Sequence, residues 1–494
     1  MNFANKITCR FIVEKINIVY ILFCLSCAAG CKKLVTVPAP VTSLSSGNVY
    51  STNATAASVL TGLYGNISKD ASTSVGINGI SLHLGLYADE LTLYGGTTNS
   101  NIDLVSFYID ALTNTPNKTF WETIYYNIYV INIALEKLQA SSGLTPAVKQ
   151  QLMGESKFMR AFFYFNLVNL YGDVPLSIVS DYETNIILSR SPKAKVWQQI
   201  ISDLKDAQGL LSDVYPGPDA MTPSTERVRP NKWAATALLA RVYLYTGDWG
   251  NAEAQSTAVI NNTTLFSLSS LLNVFLKAST GNKEAIWQMQ PVNTGWNTED
   301  ARVFILPSTG PTTAVSGVNY PVYLDSNLVN SFEINDQRKT NWIGKVTPTP
   351  PGTKTYYYPF KYKSATQNAS VIEYNMMLRL AEQYLIRSEA RAEQNNISGA
   401  QGDLNVIRNR AGLLSTTAND IASLLSAILL ERRHELFTEW GHRWLDLKRT
   451  GNADAVMDLA CPSKGGTWNT YWQLYPLPSY DLLQDPNLTQ NSGY

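Results

Sequence analysis

Apolar residues recur at steps of three and four over much of the chain, and each such run predicts one stripe along a helix. Residues 53–69 place Ala56, Leu60, Leu63, Tyr64 and Ile67 on one side. Residues 120–138 carry Trp121, Ile124, Tyr125, Ile128, Ile131, Leu135 and Leu138 in the same rhythm. Pro146 opens the next run, as a first-turn proline can. It extends to Gly172, and Pro175 ends any continuation. Residues 192–211 predict a further helix. Pro230 precedes a run that breaks at Gly247 and restarts at Trp249, and a looser pair covers 373–411. The strongest run is 428–451, where Leu429, Leu436, Phe437, Trp440, Trp444 and Leu447 form one apolar face.

Between these runs the texture changes twice. Residues 70–118 are rich in Gly, Ser, Thr and Asn and predict a long loop region with short elements. Residues 263–372 exchange helix formers for Pro, Gly, Thr, Asn and aromatics, with short β-like runs such as 285–290. They predict a second lobe with little regular structure. The tail carries Pro476, Pro478 and Pro486, so it cannot be one helix, yet it is too apolar to be disordered.

The pair around Gly247 is similar to a tetratricopeptide unit. Leu239, Ala240, Tyr243, Gly247, Asp248, Trp249 and Ala252 match its pattern, whereas Ser256 and Val259 depart from it. The two helix pairs lie far apart in sequence, so they do not form a regular tandem array. The expected fold is mainly α: a tetratricopeptide-like helical-pair scaffold with an irregular, β-poor ligand-binding lobe. Its divisions are a leader at 1–30, a tether at 31–52, a helical region at 53–262, the irregular insertion at 263–372, and a helical region with the tail at 373–494.

Charge and cysteine content narrow the class. Lys plus Arg is 39 and Asp plus Glu is 39. This balance argues against a nucleic-acid partner, which would need a basic face. Lys6, Arg10 and Lys15 precede an apolar run at 16–25 that is too short for a stable membrane span, followed by Ala28-Ala29-Gly30-Cys31. Small residues before a cysteine resemble a bacterial lipoprotein cleavage site, with Cys31 as the lipidated first residue. Cys27 is the competing position, and an ordinary signal peptide cut nearby is the alternative. Without the leader only Cys31 and Cys461 remain, so the fold must rest on packing rather than disulfides.

The segment 428–451 looks catalytic at first sight, because it mixes His434 and His442 with a dense set of charges. His434-Glu435 begins an H-E-x-x-H pattern, but Thr438 stands where the second histidine belongs, and only His83 could supply a third imidazole. No metal site is expected. Phosphate-binding and nucleophile-elbow motifs are absent from the sequence. Glu439 and Arg443 stand four apart and predict a helical ion pair.

Aromatics carry the better signal. Trp296 in NTGWNTED, Trp342 in KTNWIGK and Tyr320 sit among polar or turn residues, a setting that a core ring does not require. Exposed ring faces with polar neighbours suit the apolar C–H faces and polar rims of sugars. For these three, core and ligand platform are equally good readings. Tyr94, with Asn99 and Asn101 in YGGTTNSN, is a comparable candidate. The Tyr356 to Tyr362 run reads as core.

Four blocks give the chain a family resemblance. They are the leader ending at Cys31; 154–176 (GESKFMRAFFYFNLVNLYGDVPL); the charged run Glu431-Arg432-Arg433, Glu435-Leu436, Phe437, Glu439, Gly441, Arg443 and Asp446-Leu447-Lys448-Arg449; and the tail with Tyr475-Pro476-Leu477-Pro478 and Asn487-Leu488, Gln490-Asn491, Gly493-Tyr494. Together they resemble the SusD/RagB lipoproteins of the Bacteroidetes outer membrane. Asp481 and Asp485 depart conservatively from that pattern, and the insertion matches none of it. The resemblance implies a surface-exposed, lipid-anchored binding protein, not an enzyme, with no cofactor. It would take oligosaccharide, or in some branches peptide, and act as a lid on a SusC-like TonB-dependent barrel. Lys32-Lys33 follows Cys31 where the family's export signal is typically acidic, which leaves the leaflet open. A helical-repeat adaptor without a small ligand and a surface glycosidase are the readings from other classes. The expected ligand residues are Trp296, Trp342, Tyr320, Tyr94 and Asn101.

Overall fold

The computed structural model describes residues 49–69, 79–112, 119–313, 320–349 and 354–494. The leader, most of the tether, and with them Cys27 and Cys31, lie outside the described residues. The principal helices are α1 (Asn53–Lys69), α2 (Ile80–Tyr87), α3 (Ile102–Tyr108), α4 (Thr119–Ala140), α5 (Pro146–Tyr171), α6 (Lys193–Leu210), α7 (Lys232–Thr246), α8 (Trp249–Asn261), α9 (Leu380–Glu393), α10 (Ile397–Arg410), α11 (Ile421–Leu436) and α12 (His442–Arg449).

Gly247 and Asp248 show how the helix pairs are made. Gly247 closes α7 in the left-handed conformation at φ 72°, and Asp248 caps α8 by accepting from the Asn251 N–H. Glycine reaches that φ without a Cβ penalty, and the aspartate satisfies a first-turn donor. Asn395 at φ 61° and Asn396, which caps α10, repeat the device between α9 and α10. The two pairs stack in space despite their sequence separation. Arg241 of α7 makes a two-pronged bond to Glu382 of α9 at 2.6 and 2.7 Å, and Arg391 of α9 reaches Glu253 of α8 at 2.7 Å. Helix α5 lies between α4 and α6 and is buried along most of its length.

The carbonyl end of α5 is closed by distant chain. Tyr475 donates its N–H to the Leu170 carbonyl at 2.8 Å, Asn491 donates to that of Tyr171 at 3.0 Å, and Lys448 to that of Asn169. Arg190 adds a bond to the Tyr171 carbonyl at 3.3 Å. The tail is not one helix, as its prolines predict: Tyr475-Pro476-Leu477-Pro478 carries no regular element, and a short helix, Ser479–Gln484, follows.

Strands are few and short: β1 (Leu91–Leu93), β2 (Val174–Pro175), β3 (Arg190–Ser191), β4 (Ala285–Met289), β5 (Val322–Leu324), β6 (Ile343–Val346), β7 (Tyr356–Pro359) and β8 (Asn375–Arg379). Among the described residues they form four antiparallel pairs, β1–β5, β2–β3, β4–β8 and β6–β7. Helix α2 is buried on every face, which is why its sequence shows no helical stripe.

Two expectations change. Residues 263–372 keep their irregular texture but are not a separate lobe. Tyr50–Tyr494 forms one compact unit, and Phe266, Trp287, Phe304 and Trp342 belong to the same hydrophobic core as α5. The run 428–451 is not one helix. It ends at Leu436, turns through Thr438 (φ 53°), Trp440 (φ 48°) and Gly441 (φ 70°), and resumes at His442. A Cβ on Gly441 would lie 2.1 Å from Leu84 Cδ1, so this turn is pressed directly onto α2.

Candidate functional site

The charges of 428–451 form a buried ionic network. Arg379, at the end of β8, bonds Glu435 at 2.6 Å, Glu439 at 2.8 Å and Glu284 at 3.1 Å. Arg338 bonds Asp336 at 2.8 Å, Glu431 at 2.6 Å and Glu435 at 3.1 Å. Arg410 reaches Glu284 at 2.7 Å and also touches Glu435. Burial opposes ionisation of Glu435, but Arg410, Arg379 and Arg338 outweigh it and hold the carboxyl well below the usual range. Glu439 and Arg443 do not pair as their spacing predicts. The break at Thr438–Gly441 sends Glu439 to Arg379 and Lys361, and Arg443 to Asp89 at 2.6 Å.

The two histidines of this run are structural. His434 bonds Ser331 at 2.9 Å and stacks on Phe332 at 4.4 Å, and burial pushes its pKa down to about 2. His442 is fully enclosed and its pKa is likewise pushed down, chiefly by burial. Among the described residues no group of three or more His, Cys, Asp or Glu could hold a metal ion.

Trp342 is buried, with 0% exposure, and its Nε1 donates to the Leu271 carbonyl at 2.8 Å. It cannot serve as an exposed platform. Its sequence neighbours Thr340 and Lys345 are exposed, while the ring turns inward and walls the ionic network: Lys361, Arg379 and Arg410 stand 5.0, 5.9 and 6.0 Å from its centroid. Asn101 is also explained locally, since its side chain accepts from the Leu104 N–H and caps α3. Trp296 is half-buried, with the Arg302 guanidinium 4.9 Å over its ring. Its backbone N–H donates to Asn293 within its own loop.

Tyr94 is brought against Pro321, the residue that follows Tyr320. β1 pairs with β5 so that Thr92 faces Tyr323, and the Tyr94 N–H donates to the Pro321 carbonyl at 2.7 Å. The Tyr320 carbonyl accepts from the Thr312 N–H at 3.0 Å. Asn99 fixes the Tyr94 loop by donating to the Tyr94 carbonyl at 2.7 Å and accepting from the Asn101 N–H at 2.9 Å. Around this crossing, Tyr94 packs edge-on to Tyr356 at 5.9 Å and Tyr323 packs edge-on to Tyr356 at 5.0 Å. The Lys354 ammonium donates to the Tyr323 hydroxyl at 3.1 Å and lies 4.7 Å from that ring's centroid. Tyr94, Tyr320, Tyr323 and Tyr356 are half-buried, and Lys354 is exposed.

This is a tyrosine cluster assembled from three separate segments: the loop after β1, β5 with its approach, and the β6–β7 hairpin. Sequence reasoning missed Tyr323, Tyr356 and Lys354. The available signal was alternation: Val322 and Leu324 are buried while Tyr323 between them is not. Tyr362 is core, as expected of its run, but Tyr356, Tyr357 and Tyr358 are partly or well exposed on a two-stranded hairpin.

A tetratricopeptide-like scaffold that holds an irregular aromatic face has the build of a binding protein, and comparison with known proteins supports that class. A family model described as "Starch-binding associating with outer membrane" matches residues 89–244, and the SusD family model matches residues 333–494. The SusD-like protein P2 of Formosa agariphila is 26% identical over 98% of this chain and 100% of its own. A SusD superfamily crystal structure from Bacteroides vulgatus superposes with a TM-score of 0.75 at 20% identity, covering 90% of this chain and 99% of that one. A laminarin-binding SusD-like protein superposes with a TM-score of 0.71 at 25% identity, covering 89% and 99%. The chain belongs to the SusD/RagB family.

Proposed function

We propose that this protein is a cell-surface lipoprotein that captures oligosaccharide on the tyrosine cluster and passes it to a partner SusC-like TonB-dependent transporter of the outer membrane. The observation that carries the reading is the convergence of Tyr94 and Tyr323 on Tyr356, with Lys354 against Tyr323 and Pro321, next to Tyr320, bonded to Tyr94. Half-exposed rings set edge-on to one another present faces at different angles, which suits the C–H faces of successive sugar residues. Phenol hydroxyls and the ammonium supply polar partners for the sugar rims. The description of the matching family as starch-binding and of a structural relative as laminarin-binding supports a glycan over a peptide. Trp296, half-covered by Arg302, serves as a peripheral contact. Lipidation at Cys31 supplies the anchor, and among the described residues no helix is long and apolar enough to cross a membrane.

The test is a glycan and peptide array probed with the lipid-free body, followed by the Tyr94→Ala/Tyr356→Ala double variant. Binding to one or more glycans, lost in the double variant while the melting temperature holds, is the expected result. Peptide hits alone, or glycan hits that survive the double substitution, would overturn it. Co-purification of a TonB-dependent barrel with the membrane-extracted protein tests the delivery step.

A further inference from the structure

A cavity of about 630 Å³ has none of the tyrosine cluster's residues in its lining. It opens where α5 ends, α6 begins and the C-terminal tail returns, with Lys448 of α12 in its wall. Its size is within the range of small-ligand sites.

The cationic groups of this cavity are unequally engaged. Arg190 donates to the carbonyls of Asp173, Thr489 and Tyr171, and Arg449 is paired with Glu389 and Asp446. Lys193 and Lys448 have no carboxylate partner among the described residues. The carboxylate in the lining, Asp173, accepts the backbone N–H of Lys193 at 2.7 Å. Lys448 donates one hydrogen bond, to the Asn169 carbonyl, which leaves two of its three N–H groups. Burial pushes its ammonium down to about 7, and the nearby charge of Lys193 pushes in the same direction. Two amines that repel each other at the wall of a cavity would both be stabilised by an anion placed between them.

Aromatic rings stand among the other lining residues. Trp197 is half-buried and Tyr471 exposed, and both line the opening. A cavity of this volume is far larger than an inorganic anion, and ring faces offer nothing to one. They suit a ligand with an apolar face and a single negative group.

We propose that this cavity is a second saccharide subsite, selective for a sugar acid, with the ligand carboxylate between Lys193 and Lys448 and its ring against Trp197 and Tyr471. The subsite is independent of the tyrosine cluster. It would let the protein hold a uronic-acid-bearing glycan at a second point.

Calorimetric titration of the lipid-free body with methyl β-D-glucuronide, with the methyl ester of that glycoside and with methyl β-D-glucoside tests it. The acid should bind at least about tenfold more tightly than the two neutral sugars. Lys193→Gln should abolish that preference without moving the melting temperature, because the Lys193 ammonium holds no carboxylate in the fold. Tyr356→Ala should leave it intact. Equal binding of acid and ester, or an unchanged preference in Lys193→Gln, would overturn the proposal. Equal binding of N-acetylglutamate would reduce the site to a carboxylate pocket without sugar recognition, which also overturns it. Loss of acid binding in Tyr356→Ala would assign it to the tyrosine cluster instead, leaving the function proposed above standing.

Discussion

Arg379 and Glu435 meet at 2.6 Å, and both side chains are almost wholly withdrawn from solvent. Glu435 also contacts Arg338 and Arg410, so one carboxylate serves three guanidinium groups. Removing one member of such a set leaves buried charge without compensation. Arg379→Ala or Glu435→Ala is therefore expected to destabilise the fold by about 3–5 kcal/mol, read as a shift in the denaturant midpoint. Glycan preference should be unchanged in any variant that still folds.

Acid should act on the same interior. Burial opposes ionisation of Asp89, but Arg443 and Arg433 outweigh it and lower its pKa to about 2. Glu435 is held low by its three arginines in the same way. A carboxyl whose folded pKa is depressed contributes stability that is complete above its unfolded value and is lost as pH falls through the folded one. Stability should thus decline from about pH 4 downward, and the decline should be shallower in Asp89→Asn, measured by denaturant unfolding at each pH.

Asp300 has the opposite sign. Burial, with Glu299 and Glu439 nearby, raises its pKa to about 8. Its folded form holds a proton more tightly than its unfolded form, so its contribution is complete near pH 4 and fades as pH rises toward 8. Asp300→Asn is expected to stabilise the protein relative to wild type at pH 8 and to show a smaller difference at pH 5. Paired melting curves at the two pH values check this.

Gly441 tests the turn between α11 and α12. Its φ of 70° and the 2.1 Å approach that an added methyl would make to Leu84 leave Gly441→Ala strained and overpacked at once. A loss of roughly 2–4 kcal/mol is expected from the two effects together, seen in equilibrium unfolding.

Trp342 and Asn101 separate architecture from recognition. Trp342→Ala should cost about 3–5 kcal/mol as a core truncation and leave the glycan profile intact. Asn101→Ala should cost about 1 kcal/mol, the value of a helix N-cap. A changed glycan profile at normal stability, in either variant, would return that residue to the binding face.

The helical scaffold was legible because its signals are local. Gly247-Asp248 closes one helix and caps the next with neighbouring residues, and the family blocks at 154–176 and 431–449 are contiguous. The break at Thr438–Gly441 was not legible. Thr438 and Trp440 adopt positive φ without being glycine or asparagine, and what fixes them there is distant: the Glu90 carboxylate accepts the Thr438 N–H, and Ser81 accepts that of Trp440. Trp342 was misread for a related reason. Its flanks at Thr340 and Lys345 do lie at the surface, but the ring between them turns inward against three cations that come from distant sequence, at 361, 379 and 410. The site itself was half visible. Tyr94 and Tyr320 stand in loops that advertise themselves, whereas Tyr323, Lys354 and Tyr356 gain their meaning only when β5 and the β6–β7 hairpin bring them beside Tyr94.

The carbonyl end of α5 has one further consequence. The groups that close it come from Arg190, Lys448, Tyr475 and Asn491, the last 320 residues beyond Tyr171. A nascent chain emerging from its N-terminus therefore makes its central helix long before it makes that helix's final partners. A polypeptide stopped before Lys448 would keep only Arg190 among these partners and would carry a largely open helix end.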